Sequence, residues 1–133
     1  MKLNIISSLV LSLASVTYSY GQDLLDCSEF KTGNFHYSPP NGGEVTIKRT
    51  KKKQIERYNQ ETQKFIFEIV WIDDCSYDLT LTKTFGLPKE RKKEILGTKL
   101  HCQVIDASLN HFEVTIYSDD SEKKEELTIY SNR

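Results

Sequence analysis

The sequence has few long apolar runs, and this limits the classes of protein that it can encode. One such run, residues 5–16, lies near the N-terminus, where serines interrupt it. A membrane-spanning helix needs about 20 consecutive, mostly apolar residues. No second run of comparable length follows, so we expect no transmembrane segment.

The motifs of common catalytic and metal sites are also missing. No Gly-x-Ser-x-Gly sequence marks a nucleophile, and Asp73-Asp74 lacks the spaced oxygen ligands and final Glu of a calcium loop. His101 and Cys102 are adjacent, so on a strand they point to opposite faces and cannot share a metal. We therefore predict no catalytic residue, no metal and no cofactor. A small hydrolase is the weakest alternative, because it needs a cleft that joins His36 or His101 to a carboxylate.

Neither sign of charge is in large excess. The chain has 18 Lys and Arg residues against 19 Asp and Glu residues, a balance that gives no general attraction to nucleic acid or anionic lipid. The one basic cluster has no interleaved aromatic residue on which bases would stack. We interpret it as a solvated hairpin tip and expect no nucleic-acid partner. Its members are Lys48, Arg49, Lys51, Lys52 and Lys53.

The N-terminus has the pattern of a secretory signal peptide. Lys2 is the only charge before Asp23, and the apolar run follows it. Ser19-Tyr20-Gly21 then supplies small residues at the two positions that signal peptidase reads. We predict that residues 1–21 are removed before Gln22. Residues 22–133 then form a single exported domain, periplasmic or extracellular, in a compartment that permits disulfides.

Alternating apolar and polar residues from residue 33 onward predict about eight β-strands. Short turns join most of them, which favours antiparallel neighbours. The predicted fold is all-β: an antiparallel up-and-down meander closed into a small barrel, with a β-sandwich as runner-up. Residues 88–96, between Pro88 and Gly97, form either a helix or a charged loop. The strands are centred near residues 35, 47, 56, 68, 79, 102, 114 and 128.

The register of one hairpin predicts the fate of the cysteines. Pairing Trp71 with Tyr77 puts the apolar residues of both strands on one face, and Asp73-Asp74-Cys75 then forms a three-residue loop. Cys27 lies just before the first strand, near an end of the sheet, whereas Cys102 has the phase of core residues. We predict a Cys27–Cys75 disulfide, worth about 4 kcal/mol on the chain-entropy model, and a free, buried Cys102.

Two arginines have the phase of apolar residues in the predicted strands. Arg49 continues the alternation of the second strand, and Arg57 follows Ile55 in the third. A buried arginine must be paired or must meet water or a ligand. In one interpretation both face inward and receive the carboxylate of an apolar ligand; in the other, which we favour, both reach solvent at the rim. Trp71 and Tyr77, near one end of the barrel, either fill the core or contact the ligand.

The leading functional hypothesis is a non-enzymatic barrel that binds a small apolar or amphipathic ligand. Its candidate ligand-binding residues are Arg49, Arg57, Trp71 and Tyr77. The alternative is a structural or protein-interaction module whose interior is filled, as the small size of the domain favours. The outer residues Ile66, Val70 and Ile72 are then the candidate partner surface, although we expect the chain to cover them itself and the protein to be a monomer.

Two segments, CSEFKTGNF at residues 27–35 and WIDDCSYDL at residues 71–79, resemble a family of small exported bacterial proteins of unassigned activity. Some members of that family carry a topoisomerase label, which a short exported chain does not support. The predicted meander is also similar, by fold analogy alone, to lipocalins and fatty-acid-binding proteins. Gly33-Asn34-Phe35 stands where lipocalins have Gly-x-Trp.

Overall fold

The structure is a computed structural model that describes residues 25–58 and 62–132. The predicted signal peptide and the predicted turn near Asn59 lie outside the described residues. None of the helices in the described part of the chain is long and apolar enough to cross a membrane.

The described residues form a closed barrel of eight antiparallel strands that follow one another in chain order. This confirms the predicted up-and-down barrel. The barrel closes where β1 pairs with β8, with Phe35 opposite Ser131 and His36 opposite Tyr130. The strands are β1 (Gly33–Tyr37), β2 (Val45–Arg49), β3 (Lys53–Tyr58), β4 (Gln63–Asp73), β5 (Ser76–Phe85), β6 (Lys99–Ala107), β7 (His111–Ser118) and β8 (Glu125–Ser131).

The strands form because alternate side chains bury one face of the sheet. In β2 the odd-numbered residues are buried and the even-numbered residues are exposed. Buried hydrophobic residues come from every strand except β3, whose inward residues include Gln54 and Glu56. Among the strands they are Phe35, Val45, Ile47, Phe67, Ile69, Tyr77, Leu79, Leu81, Cys102, Val104, Phe112, Val114 and Ile129.

The β4–β5 hairpin has the predicted parity. Trp71 lies opposite Tyr77, and Ile69 lies opposite Leu79. The loop differs from the prediction, because Asp73 pairs with Ser76 and the register shifts between Trp71 and Asp73. The extra residue of the predicted three-residue loop is thus absorbed as a bulge within β4, which keeps the apolar faces aligned.

The N-terminal segment closes one end of the barrel, which we call the disulfide end. Cys27 and Cys75 form the predicted disulfide, with Cα atoms 5.4 Å apart, and Cys102 is free and buried. A 3₁₀ turn, Ser28–Phe30, follows the first cysteine. It places the Phe30 ring inside the barrel, with ring centroids 4.5 Å from Phe112 and 6.3 Å from Phe35.

The opposite end, which we call the mouth, carries the β1–β2 and β7–β8 loops and the β5–β6 connection. That connection contains a helix, α1 (Lys89–Ile95), so the helical alternative for residues 88–96 is correct. Gly97, with φ +89°, ends the helix as a left-handed residue. Its backbone N–H then donates to the carbonyl oxygen of Leu81 at 2.9 Å, which returns the chain to the sheet.

Two of the three residues of the outer apolar patch, Val70 and Ile72, are exposed in the described part of the chain, contrary to prediction, whereas Ile66 is half-buried. Val70 is 50% exposed and Ile72 is 63% exposed. The Phe30 ring does not cover this patch, because it packs inside the barrel against Phe35 and Phe112.

Candidate ligand-binding cavity

A cavity of about 960 Å³ extends from the barrel interior to the loops of the mouth. Large side chains fill the disulfide end, where Phe30, Phe35 and Phe112 pack together, and the open space lies toward the mouth. The apolar residues that line the cavity are Ile47, Phe67, Leu79, Leu100, Ile116, Leu127 and Ile129, and its entrance includes Ser38, Pro39 and Lys123.

Arg49 lies beneath the cavity at the disulfide end and is only 2% exposed. Its guanidinium donates to the carbonyl oxygen of Phe30 at 2.7 Å and to the Tyr77 hydroxyl at 3.1 Å. Nε and Nη2 both donate to Oε1 of Gln54, at 3.0 and 2.6 Å. These four hydrogen bonds fix the position of the guanidinium and connect the N-terminal segment to β2, β3 and β5.

Aromatic rings surround the same guanidinium. Its Cζ atom lies 4.6 Å from the ring centre of Tyr77 and between 5.6 and 5.9 Å from those of three further rings. The electron-rich faces of such rings attract a cation and partly replace its lost hydration. The three further rings are those of Phe35, Phe112 and Trp71.

A buried carboxylate lies one inward-facing position further toward the mouth, two residues along β3 from Gln54. Glu56 is 6% exposed, and its Oε2 accepts a hydrogen bond of 3.0 Å from Nε2 of Gln54. Arg49 only donates, so it determines the orientation of the Gln54 amide, with the oxygen toward Arg49 and the nitrogen toward Glu56. Gln54 thus links the buried cation to the buried anion without a direct ion pair.

Two tyrosines complete the carboxylate environment. Oε1 of Glu56 accepts from the hydroxyls of Tyr58 at 2.8 Å and Tyr37 at 3.2 Å, and the two hydroxyls lie 2.8 Å apart. Burial, reinforced by the Glu56 charge, raises the pKa of both tyrosines well above the usual value. Both therefore keep their protons and act as neutral donors.

The structure separates the four candidate ligand-binding residues. Arg49 is interior and held by protein groups, so the preferred rim placement was wrong for it. Tyr77 lines the cavity floor. Trp71 packs on Tyr77, with ring centroids 4.7 Å apart, and its buried Nε1 has no partner among the described residues. Arg57 lies on the outer face, opposite Thr46.

The error for Arg57 has a physical cause. Ile55 is the only aliphatic residue of β3, and the alternation around it predicts that the odd-numbered residues face inward. The inward residues of β3 are instead the even-numbered Gln54 and Glu56. Gln54 lies opposite Arg49, and Glu56 lies opposite Ile47. The need to hydrogen-bond a buried guanidinium outweighs the burial of one isoleucine.

Cys102 is the free thiol of the cavity wall. Burial raises its pKa to about 12, and the nearby positive charge of Arg49 opposes this only in part. The thiol is therefore protonated at neutral pH, which suits a wall residue and not a nucleophile.

His101 lies on the outer face, as predicted, but the structure joins it to two carboxylates, which was not predicted. Nδ1 contacts Asp78 and Nε2 contacts Asp119, each at 2.8 Å. These hydrogen bonds raise the pKa of His101. Asp78 lies directly opposite His101 across the β5–β6 pair, so pairing Tyr77 with Cys102 in the sequence would have revealed the contact.

No group of three or more His, Cys, Asp or Glu side chains with the arrangement of a metal site occurs within residues 25–58 and 62–132. Comparison of the chain with protein-family models, curated proteins and solved structures finds no match. The functional argument therefore rests on the geometry of the cavity.

We predict that Arg49→Met lowers the free energy of unfolding by about 3 kcal/mol or more, because Gln54, Tyr77 and the Phe30 carbonyl lose their donor and Glu56 loses its counter-charge. Arg57→Met is the matched control on the outer face and should change stability by less than about 0.5 kcal/mol. Urea denaturation, monitored by the fluorescence of Trp71, measures the free energy of unfolding of both variants. Equal effects of the two variants would contradict the anchoring role of Arg49.

A second prediction concerns pH. The folded pKa of His101 lies above the unfolded value of about 6.5. Its contribution to stability is therefore complete below the unfolded pKa and is lost as pH rises through the folded pKa. Wild type should lose up to about 1 kcal/mol relative to His101→Gln between about pH 6 and pH 9, because the cluster is partly solvated. Urea titrations of both proteins at the two pH values test this, and parallel pH dependences would refute it.

Proposed function

We propose that this protein is an exported, non-enzymatic β-barrel that binds a small apolar or amphipathic ligand inside the barrel. The observation that carries the proposal is the cavity of about 960 Å³. Ligand sites typically span about 300–1,000 Å³ and combine apolar walls with a few polar groups. The cavity has this composition, with aliphatic and aromatic walls and a polar cluster formed by Gln54, Glu56, Tyr37 and Tyr58.

Export is supported by two features. The N-terminal pattern is that of a signal peptide, and the Cys27–Cys75 disulfide is the kind of bond that persists in oxidising compartments. The resemblance of residues 27–35 and 71–79 to small exported bacterial proteins is consistent with this. We therefore propose that the barrel acts in the periplasm or outside the cell.

A binding role is favoured over a hydrolytic one by the contacts of the two candidate bases, and Nδ1 of His36 contacts the side-chain oxygen of Asn132, not a carboxylate. Carboxylates engage both ring nitrogens of His101, so neither nitrogen is available to accept a proton from a nucleophile. The cluster also faces the outer surface and not the cavity. Its arrangement is that of a surface ion cluster.

The proposal predicts that N-phenyl-1-naphthylamine, a neutral probe that fluoresces in apolar sites, binds the wild-type barrel at a single site. Ile116→Trp places a larger side chain on the cavity wall and should weaken probe binding by about tenfold or more. Ile105→Trp is the control, because Ile105 is 44% exposed on the outer face, and it should leave the affinity unchanged. Fluorescence titration measures the three proteins.

Absence of probe binding to the folded wild-type protein would overturn the proposal. So would equal loss of binding in the two tryptophan variants. Native mass spectrometry of the protein purified from its own host adds an independent test, because a bound ligand would appear as a mass increment.

A second candidate function, protein interaction, is favoured by the exposed outer patch of Val70 and Ile72. Shallow recesses border it on both sides: one of about 470 Å³ beside Val70 and one of about 290 Å³ beside Ile72. An exposed apolar patch on the outer face of a sheet is a feature of docking sites for proteins. This function uses the outer face and does not require the cavity.

For the second candidate, we expect wild type to self-associate with rising concentration in analytical ultracentrifugation. The double variant Val70→Lys, Ile72→Lys should remain a monomer, because two charges on the patch disfavour its burial. A wild-type monomer throughout the series would count against self-association through this face. The ligand-binding proposal expects that monomer.

A further inference from the structure

We infer that the ligand of the barrel presents a hydrogen-bond donor to the buried polar cluster, and that an apolar chain with an ammonium head binds in preference to the same chain with a carboxylate. This inference rests on the proposed function, because it identifies the chemical class of molecule that the cavity takes. It reverses the expectation that inward arginines receive a ligand carboxylate.

The cation that would have received a carboxylate is already occupied. Arg49 donates to Gln54 twice, to the Phe30 carbonyl and to the Tyr77 hydroxyl, which uses four of the five N–H groups of a guanidinium. Its charge lies below the cavity wall, behind the Gln54 amide and the Tyr77 ring. A ligand anion would have to displace these partners to reach it. Arg57, the other candidate, faces outward.

The donors of the polar cluster are also largely used. Each phenol has one proton. Tyr58 donates to Glu56 at 2.8 Å, and Tyr37 donates either to the same carboxylate oxygen or to Tyr58. Gln54 gives one amide hydrogen to Glu56, which leaves its second amide hydrogen as the remaining donor. What the cluster offers a ligand is mainly acceptor capacity, on the carboxylate and phenol oxygens.

The charges along the path into the cavity act in the same direction. Among the described residues, the groups that line it include the carboxylates of Glu56, Glu125 and Glu126 and one ammonium group, that of Lys123. Two of these acids lie in the first residues of β8, at the mouth. Among these residues an entering anion meets more like charges than opposite ones, whereas an entering cation experiences a net attraction toward the polar cluster.

The geometry therefore assigns separate roles to the two ends of the ligand. Ile47, Phe67 and Leu79 and their neighbours on the walls take the apolar chain. Glu56, oriented by Gln54 and two tyrosines, accepts hydrogen bonds from the head group. A hydrogen bond to a desolvated carboxylate is stronger when the donor is charged, which favours an ammonium over a hydroxyl.

The test compares three probes that share one chain: dodecylamine, dodecanol and dodecanoate. Each displaces N-phenyl-1-naphthylamine from the wild-type protein at neutral pH, below its critical micelle concentration. We expect dodecylamine to bind about tenfold or more tighter than dodecanoate, with dodecanol between them. Wild type alone therefore decides the question, without a variant that has to fold.

Two carboxamide variants locate the preference. Glu56→Gln should reduce the amine-to-carboxylate ratio to within about twofold, because it removes the charge while keeping the size of the side chain. Glu126→Gln removes an exposed carboxylate at the mouth and should retain most of the preference. Circular dichroism and the urea midpoint confirm that each variant is folded before its affinities are compared.

The outcomes separate the two proposals. If N-phenyl-1-naphthylamine does not bind the folded protein, the proposed function fails. If it binds and dodecanoate displaces it as well as dodecylamine does, the binding function stands and the inference about the head group is wrong. A full amine preference in folded Glu56→Gln would also overturn the inference, because the preference would then not arise from the buried carboxylate.

Discussion

The buried guanidinium of Arg49 is the interaction on which the rest of the structure depends. A cation that is 2% exposed must be compensated by groups around it, and here the compensation comes from every part of the disulfide end. The Phe30 carbonyl links it to the N-terminal segment, Gln54 to β3 and the Tyr77 hydroxyl to β5. The disulfide and the arginine thus hold the same N-terminal segment across the same end. The disulfide does so by a covalent bond, and Arg49 does so by a hydrogen bond from its charged guanidinium.

This anchoring divides the barrel into two halves with different properties. Aromatic rings pack around the cation at the disulfide end, and Phe30, Phe35 and Phe112 leave little space there. At the other end the interior is open, its walls combine aliphatic and aromatic side chains, and its polar groups include Gln54 and Glu56. A single chain of contacts, from Arg49 through Gln54 to Glu56, therefore connects the packed half to the open half. The residues that hold the buried cation thus also orient the carboxylate that borders the cavity.

Much of the fold was predictable because the period-two alternation is local and strong. Eight strands, their antiparallel order, the Trp71–Tyr77 pair and the Cys27–Cys75 bridge all follow from parity in short hairpins. The candidate site was much less predictable. Gln54 and Glu56 are polar residues in a polar stretch, and nothing local distinguishes them from the solvent-facing residues around them. The contact between His101 and Asp78 was missed for a related reason, since it depends on the register between β5 and β6 across a long connection.

By itself, the sequence determined which residues share a face within each strong hairpin, and therefore the class of fold and the position of the disulfide. Tertiary structure alone decided the phase of β3, the orientation of Phe30 into the barrel and the existence of the cavity. The reason is that each of these is a competition between distant groups. One isoleucine favoured one phase of β3, but the unsatisfied donors of a buried arginine on the neighbouring strand favoured the other. Only the closed barrel brings Arg49, Gln54, Tyr77 and Phe30 to one place, where that balance is decided.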